Sequence, residues 1–489
     1  MKSSIVLFYP KTGFDVKDVS IDLPLSVLAV ASTLVQDYEV KIIDQRIDEN
    51  WGATLQEELN KDPLFVGISA MTGSQIKFGL EASRLVKEGD TSIPVIWGGI
   101  HPTLLPEQTV RHAFVDIAVI GEGEATIRDL ASALKARRNL DNIKNIVYKK
   151  NGEVVRTPLS GFLDMNELPR LPYELVDVEQ YIKAQPKALP GAKRMLPFLT
   201  SRGCPYTCSF CCNPRVSRGK WRSMTAENAY EEVMNLVETY QLDSVAFYDE
   251  AFMTDRKRAE KMAEMIHGEV RWFIQGRMDE LARADLAKYE RNGLGAVQPG
   301  LETGSSRILK LIKKRETIED FLCANRALGK TNIIAYYNFM MGFPTETYDE
   351  LMQSIDLALR LLRENPKSRL AAFYVLTPYP GTELFDVAVN LGFKAPTSLA
   401  GWANYSRQHL MTPWVQDKIE MLRTIMLTSK VIDGHAIEAL FETPPLLFSF
   451  VGLLAKKWYQ YKWRKRSFGK TIDVKLLDYI SRDYLKLEF

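Results

Sequence analysis

Cys204-Pro205-Tyr206-Thr207-Cys208-Ser209-Phe210-Cys211-Cys212 holds four of the five cysteines of a 489-residue chain, the fifth being Cys323. Three of them follow the spacing C-x3-C-x2-C in a loop just past Pro197 to Thr200, an apolar run that reads as a β-strand. In a reducing compartment, clustered cysteines bind metal or do redox chemistry rather than form structural disulfides. Three thiolates on one loop can hold three irons of a four-iron cluster and leave the fourth iron open to a substrate or cofactor. Zinc is the competing reading, but a structural zinc site closes with four ligands, commonly paired C-x2-C units or histidine. There is no second cysteine pair, the nearest histidine is His267, and the adjacent Cys211 and Cys212 make poor co-ligands of one metal. The stretch therefore predicts a cluster on Cys204, Cys208 and Cys211, with Cys212 in the pocket wall.

Outward from this loop, strand and helix patterns alternate as far as Val387. Candidate strands are Pro197 to Thr200, Ser244 to Tyr248, Trp272 to Ile274, Ala296 to Gly300, Ile334 to Met341 and Ala371 to Leu376. Helical periodicity marks Ala226 to Tyr240, Arg256 to Gly268, Ser306 to Lys313 and Tyr348 to Glu364. Six βα repeats fall short of the eight of a full barrel, so an open, partial (β/α)6 TIM-type barrel is expected.

The first part of the chain alternates in the same way. Strands are expected at Ser4 to Phe8, Glu39 to Ile43, Phe65 to Ser69, Val95 to Trp97 and Ile117 to Ile120, with helices at Leu25 to Gln36, Trp51 to Asn60, Ser74 to Lys87 and Ala125 to Ala136. That pattern predicts an α/β fold with a Rossmann-like, doubly wound parallel sheet. Ligands of such sheets sit at the carboxyl ends of the strands. Here those ends carry Ser69-Ala70-Met71-Thr72-Gly73, Gly98-Gly99 and Gly121-Glu122-Gly123-Glu124, small residues that admit close backbone approach by a large ligand. Ile143 to Lys149 and Glu153 to Thr157, joined by Asn151-Gly152, read as a hairpin. The prolines after it, Pro158, Pro169, Pro172, Pro186 and Pro190, mark a linker. Domains are thus expected at 1–140, 141–195 (hairpin and linker), 196–395 and 396–489, the last mostly helical.

Composition narrows the class. With 46% hydrophobic residues, 25% charged residues, and 63 Lys and Arg against 61 Asp and Glu, the chain is globular, and a net charge of +2 offers no global pull on nucleic acid. The apolar core of the N-terminus, Ile5 to Phe8, is too short for a signal peptide, and no run approaches the length of a membrane span. A cytoplasmic location follows as an expectation. Cys323, in a helical pattern, is expected to be a buried apolar side chain.

At the cysteine loop the sequence resembles the radical S-adenosylmethionine (SAM) superfamily, whose motif is this C-x3-C-x2-C with an aromatic residue, here Phe210, before the last cysteine. The resemblance implies that Cys204, Cys208 and Cys211 carry a 4Fe-4S cluster whose open iron is chelated by SAM, and that an electron from the cluster cleaves SAM to a 5'-deoxyadenosyl radical. Gly300-Leu301-Glu302-Thr303-Gly304-Ser305 resembles the family's fourth-strand segment near SAM, Phe339 to Thr347 its fifth-strand segment, and Thr377-Pro378-Tyr379-Pro380-Gly381-Thr382 the end of its sixth strand. Glu302 and Arg277 could pair with charged or hydroxyl groups of SAM. The competing readings are that Glu302 caps the helix beginning near Ser305 and that Arg277 pairs with Asp279. Asp249-Glu250 reads equally as a solvated loop or part of a site.

Preceding such a motif, the first sheet resembles the cobalamin-binding domain of the B12-dependent radical SAM family, in its methyltransferase-like class B. The matching loops are Ser69 to Gln75, Trp97-Gly98-Gly99-Ile100-His101-Pro102-Thr103 and Val119-Ile120-Gly121-Glu122-Gly123-Glu124. The D-x-H-x-x-G motif that brings a histidine to cobalt in classical B12 proteins is missing; the one D-x-H, Asp433-Gly434-His435, lies in the C-terminal region and lacks the following glycine. His101 is the nearest candidate for a role, against a plain turn-capping histidine before Pro102. The resemblance implies methylation, from methylcobalamin, of an unactivated carbon in a small-molecule or lipid-like substrate. The first alternative is cyclisation, oxidation or rearrangement without methyl transfer, and the second a non-catalytic cobalamin or cluster sensor. An external reductant such as a flavodoxin or ferredoxin is implied.

The C-terminal region contains Pro444 to Ala455, largely apolar, followed by seven basic and no acidic residues from Lys456 to Lys470, interleaved with aromatics. A helix covering the barrel and a peripheral membrane contact are both open here. RNA binding is disfavoured because no nucleic-acid module flanks the stretch.

Overall fold

The structure, a computed structural model, describes residues 2–13, 15, 21–185, 189–405, 412–434 and 446–479, without the side chains of 446–451. The chain forms two compact units: residues 1–186 with 215–218 and 394–406, and the remainder.

The first unit is built on a seven-stranded sheet. Its strands are β1 (Ser4–Tyr9), β2 (Glu39–Asp44), β3 (Val66–Ser69), β4 (Val95–Gly98), β5 (Ile117–Val119), β6 (Ile146–Lys150) and β7 (Glu153–Arg156). Their order is β2-β1-β3-β4-β5-β6-β7, and the first five are parallel. Strand order reverses between β1 and β3, which makes the carboxyl ends there the expected ligand crevice of a doubly wound sheet. Ile5, Val6, Leu7 and Phe8 are all buried, as befits a central parallel strand covered by helices on both faces. The Asn151-Gly152 hairpin, expected in the linker, instead continues this sheet, with β6 antiparallel to β5. Asn151 and Gly152 take φ of 51° and 84°, the turn geometry that an Asn-Gly pair favours.

The second unit holds β8 (Met195–Phe198), β9 (Ser201–Arg202), β10 (Arg222–Ser223), β11 (Ser244–Phe247), β12 (Arg271–Gly276), β13 (Leu294–Glu302), β14 (Ile334–Met341) and β15 (Arg369–Val375). Six of them form one parallel sheet in simple sequence order, β8-β11-β12-β13-β14-β15, with β8 and β15 left as edges. This is the open, partial barrel. Phe247, Phe252, Trp272 and Tyr289 pack ring against ring beneath it, with centroids 5.2 to 6.0 Å apart. The short β9-β10 ribbon closes the neck of the cysteine loop.

Helices Ile419–Ser429, Leu446–Arg464 and Ile472–Tyr479 dominate the C-terminal region. Among the described residues, no helix is long and apolar enough to cross a membrane. Cys323 is exposed, which corrects the buried reading. Its helix, Ile318–Gly329, buries Phe321, Ala324, Asn325 and Leu328 at helical spacing, and residue 323 falls off that stripe.

Candidate functional site

In the second unit the cysteine loop leaves the sheet at the carboxyl end of β8. Thr200 donates to Asp249 from its backbone N–H (2.7 Å) and its hydroxyl (2.6 Å), and Ser201 Oγ adds a third bond at 2.5 Å. Asp249 is fully buried; burial raises its pKa, against the pull of these donors and of Arg258. The next residue, Glu250, accepts from the Gly203 N–H at 3.1 Å. Asp249 is therefore the buried anchor of the loop's first turn, while Glu250 is exposed and touches the loop through its bond from Gly203.

Further along, the Ser209 N–H donates to the Ile312 carbonyl, and the Leu384 N–H to the Ser209 carbonyl, each at 2.9 Å. The loop is thus pinned at its start and its middle, leaving Cys204, Cys208, Cys211 and Cys212 half-buried. Burial raises the thiol pKa of all four, that of Cys211 to about 12. Desolvation disfavours bare thiolates, so these sulfurs need a positive partner to ionise. Part of it is present: Lys314 and Arg277 both favour the Cys208 thiolate, and the Asn213 N–H points at Cys211 Sγ from 3.4 Å. Phe210 is half-buried between two of the cysteines. Among the described residues no three His, Cys, Asp or Glu side chains converge on a single-ion site. A four-iron cluster takes each thiolate on a different iron, so its ligands stand farther apart than those of one ion. Three half-buried thiols beside two cations, with Cys212 adjacent in sequence to the third, fit that cluster and not a closed zinc site.

Behind the loop lies a buried charge network. Arg277 pairs with Asp279 at 2.9 Å and Glu316 at 3.5 Å, donates to the Lys314 carbonyl, and stacks 3.7 Å from the Tyr206 ring centroid. The Arg277-Asp279 pairing left open by the sequence is thus the arrangement found. Glu302 does not cap the following helix, a role taken by Ser305; its carboxylate lies 3.2 Å from Lys314 Nζ. Burial opposes the Lys314 charge, but Glu302 and Glu316 outweigh it and raise the pKa. Glu302 has φ of 67°, and the β13-β14 register shifts beside it. A Cβ on Gly300 would fall 2.2 Å from Glu302 Oε1, so glycine there makes room for the inward carboxylate. Thr303 faces away, with its hydroxyl 3.1 Å from Ser354 Oγ. Tyr379 is half-buried in the turn after β15, its carbonyl accepting from Thr382 Oγ1 at 2.8 Å. Lys314 and Glu316 were missed by sequence reasoning because Lys313-Lys314-Arg315-Glu316 reads as a solvated charge run.

In the first unit, Ser69, Thr72, Gly73, Gly98, Gly99, Gly121, Glu122 and Gly123 fall at or just after the ends of β3, β4 and β5, and His101 lies in the short helix Ile100–Leu104 that follows β4. Gly98 and Gly121 have nothing within 4 Å of where a Cβ would stand, so backbone faces open space at both strand ends. Gly99, at φ 101°, lies with its Cβ position 2.9 Å from the Ala70 carbonyl, and Gly73, at φ 113°, with its own 2.7 Å from the Tyr405 carbonyl. Thr103 Oγ1 accepts from the Gly121 N–H at 2.8 Å and donates to the Gly99 carbonyl at 2.7 Å, tying two of the loops. Ser69 and Ser26 hydroxyls lie 3.0 Å apart. His101 is fully buried with Nδ1 2.9 Å from Thr72 Oγ1, and burial lowers its pKa to about 4. Its ring packs against Trp402, whose indole donates to Gln108 Oε1 at 2.6 Å. His101 thus braces the Thr72 loop as a neutral imidazole. Trp402 and Tyr405 were not anticipated, because residues 394–406 join this unit only through long-range packing. Asp433 is buried and accepts from the Leu370 N–H at 2.9 Å, whereas His435 lies outside the described residues. Open glycine backbone at two adjacent strand ends, those of β4 and β5, fits a large ligand that contacts main chain.

Residues 198–358 match the family described as the Radical SAM superfamily, and residues 15–131 the B12 binding domain. An uncharacterized methyltransferase of Pyrococcus horikoshii is 31% identical over 396 residues, covering 79% of this chain and 83% of its own. The anaerobic magnesium-protoporphyrin IX monomethyl ester cyclase of Rubrivivax gelatinosus is 28% identical over 374 residues, covering 74% and 64% respectively. Among solved structures, the radical SAM methyltransferase TsrM of Kitasatospora setae, with cobalamin and a [4Fe-4S] cluster bound, superposes with a TM-score of 0.67 at 17% identity, over 96% of this chain and 100% of its own. OxsB, a cobalamin-dependent SAM radical enzyme with aqua-cobalamin and SAM bound, gives 0.72 at 18% identity, over 99% and 75%. The two structures share the fold of this chain.

Proposed function

Because the chain belongs to the radical SAM enzymes that carry a B12-binding domain, we propose that it binds a 4Fe-4S cluster, SAM and cobalamin and methylates an unactivated carbon of a small-molecule or lipid-like substrate. The observation that carries this reading is the likeness, over 79% of the chain, to a methyltransferase. When bound, the cluster and SAM supply a 5'-deoxyadenosyl radical that abstracts hydrogen, and methylcobalamin supplies the methyl group to the carbon radical left behind.

The chain's own residues do the holding. Cys204, Cys208 and Cys211 would each ligate one iron, and the pinned Ser209 backbone fixes their spacing. Lys314 and Arg277 offset thiolate charge next to Cys208, and the strained Glu302 keeps Lys314 in place. In the first unit, Gly98 and Gly121 would take cobalamin against bare backbone, with Thr72, backed by His101, forming one wall. The division at residues 140, 195 and 395 into cobalamin-binding, linking, radical SAM and helical parts belongs to the same proposal. An external reductant of the flavodoxin or ferredoxin kind would deliver the electron.

A second reading, cyclisation or oxidation without methyl transfer, is favoured by the 28% identity to the Rubrivivax cyclase. Product mass separates the two. Protein reconstituted anaerobically with iron, sulfide and methylcobalamin is incubated with SAM, reductant and cell extract, and methylation adds a CH2 unit to the product. Release of 5'-deoxyadenosine with no methylated product would sink the methyltransferase reading. As a control, the triple variant Cys204→Ala, Cys208→Ala, Cys211→Ala should lose iron and keep cobalamin.

A further inference from the structure

The helix Leu446–Arg464 has two faces. Tyr459 and Trp463 point inward, Trp463 packing edge-on to Phe373 and donating to Thr428 Oγ1 at 2.9 Å. The outward face carries Leu453, Leu454, Trp458 and Tyr461, 48 to 52% exposed. At 100° per residue these fall in one arc with exposed Lys457, Arg464 and Lys465, the leucines at the amino end and most of the cations at the other. Soluble surfaces seldom gather aliphatic and aromatic side chains in this way.

The helix Ile472–Tyr479 repeats the arrangement. Ile472, Leu476 and Tyr479 are spaced i, i+4, i+7, the stripe that ordinarily faces a core, yet they are 85, 56 and 54% exposed. Exposed Lys475 lies on the same stripe. The two helices are tied together: Asp473 accepts from Trp458 Nε1 at 2.8 Å and pairs with Lys462 at 3.0 Å. Trp458 and Tyr461 stack with centroids 6.1 Å apart. Asp473 is thereby already neutralised by Lys462, and Arg466 lies 3.6 Å from Asp356, while the exposed Lys457, Arg464, Lys465 and Lys470 meet no acid in their own stretch.

From this face we infer a docking surface for an anionic lipid bilayer, on which the two helices lie in the plane of the headgroups. Leu453, Leu454, Ile472 and Leu476 would enter the acyl boundary, Trp458 and Tyr461 would sit at headgroup level, and the exposed Lys457, Arg464, Lys465 and Lys475 would meet lipid phosphate. A second copy of the chain fits poorly, since a two-fold interface sets the same patch against itself and so buries its cations against either cations or leucines, with no acid to meet them. RNA would use the cations and the rings but leaves the four aliphatic side chains without a role. The inference is independent of the reaction catalysed.

The test uses the full chain and vesicles of phosphatidylcholine with or without phosphatidylglycerol, in a flotation assay. Binding should require phosphatidylglycerol and fall with added salt. Lys457→Gln with Lys465→Gln should weaken partitioning about thirtyfold, at about fivefold per charge. Leu453→Ser, Leu454→Ser, Ile472→Ser and Leu476→Ser together should abolish it, with far-UV dichroism and cobalamin loading unchanged because all four side chains are at least 48% exposed. Equal partitioning to both vesicle types, or unchanged binding by either variant, overturns the assignment. So does a concentration-dependent dimer that the serine variant disperses, or binding of single-stranded RNA in place of vesicles.

Discussion

Asp249 holds Thr200 twice, by the backbone N–H at 2.7 Å and by the hydroxyl at 2.6 Å, and so fixes the point from which the cysteine loop departs. A buried carboxylate with three donors leaves each of them unsatisfied when it is removed. Asp249→Ala should therefore lose about 3 kcal/mol of stability by chemical denaturation. Iron per chain after reconstitution should fall with it, although no cysteine has changed. Full stability together with full iron would show that the anchor is dispensable.

Lys314 stands between Glu302 and Glu316 with almost no exposure. Replacing it with methionine takes the cation from Glu302 and leaves Glu316 with Arg277 alone, a loss of about 3 to 5 kcal/mol for a broken buried pair. The double variant Lys314→Met, Glu302→Gln removes one of the two charges and should recover a measurable part of that loss. Thermal unfolding of both proteins checks this, and a double variant no better than the single one refutes the pairing.

Such features divide what the sequence makes legible from what it hides. The cysteine triad is legible because its spacing is local: three sulfurs on one loop need no knowledge of the fold. Both α/β sheets are legible through strand and helix periodicity. Lys314 and Glu316 are hidden because burial is decided by β12, β13 and the cysteine loop, all distant in sequence, while the run itself looks solvated. Cys323 fails for the opposite reason, since helical pattern alone does not say which stripe faces inward. The bracing of Thr72 by His101 and Trp402 joins positions some three hundred residues apart, and no local pattern foretells it.

Acid stability should report on Glu350. Arg307 forks onto its carboxylate at 2.6 and 2.7 Å, and Ser305 and Thr347 add further donors, so its pKa drops from 4.5 to about 2. In the folded chain the group stays ionised where the unfolded chain has already taken up a proton. Its stabilisation is thus complete above pH 4.5 and lost as pH falls toward 2. Glu350→Gln should flatten the loss of stability across that window by about one proton of uptake, measured by denaturation at a series of pH values. An unchanged slope would show that the pair contributes nothing.

Two glycines on neighbouring loops of the first unit should respond in opposite ways to the same methyl group. Gly98 has an ordinary backbone conformation and open space where a Cβ would go, so Gly98→Ala adds no clash to the protein alone. If cobalamin lies against that backbone, the methyl group occupies its place, and cobalamin retained per chain should fall while the melting temperature of the cofactor-free protein holds. Gly73 has φ of 113° and a Cβ position 2.7 Å from the Tyr405 carbonyl, so Gly73→Ala strains the backbone and drives a methyl into main chain. That variant should lose about 2 kcal/mol of stability before any cofactor is added. Absorbance of bound cobalamin and melting curves of the cofactor-free proteins read the two effects separately. Undiminished loading in Gly98→Ala would remove that strand end from the cobalamin site, whatever the fate of Gly73→Ala.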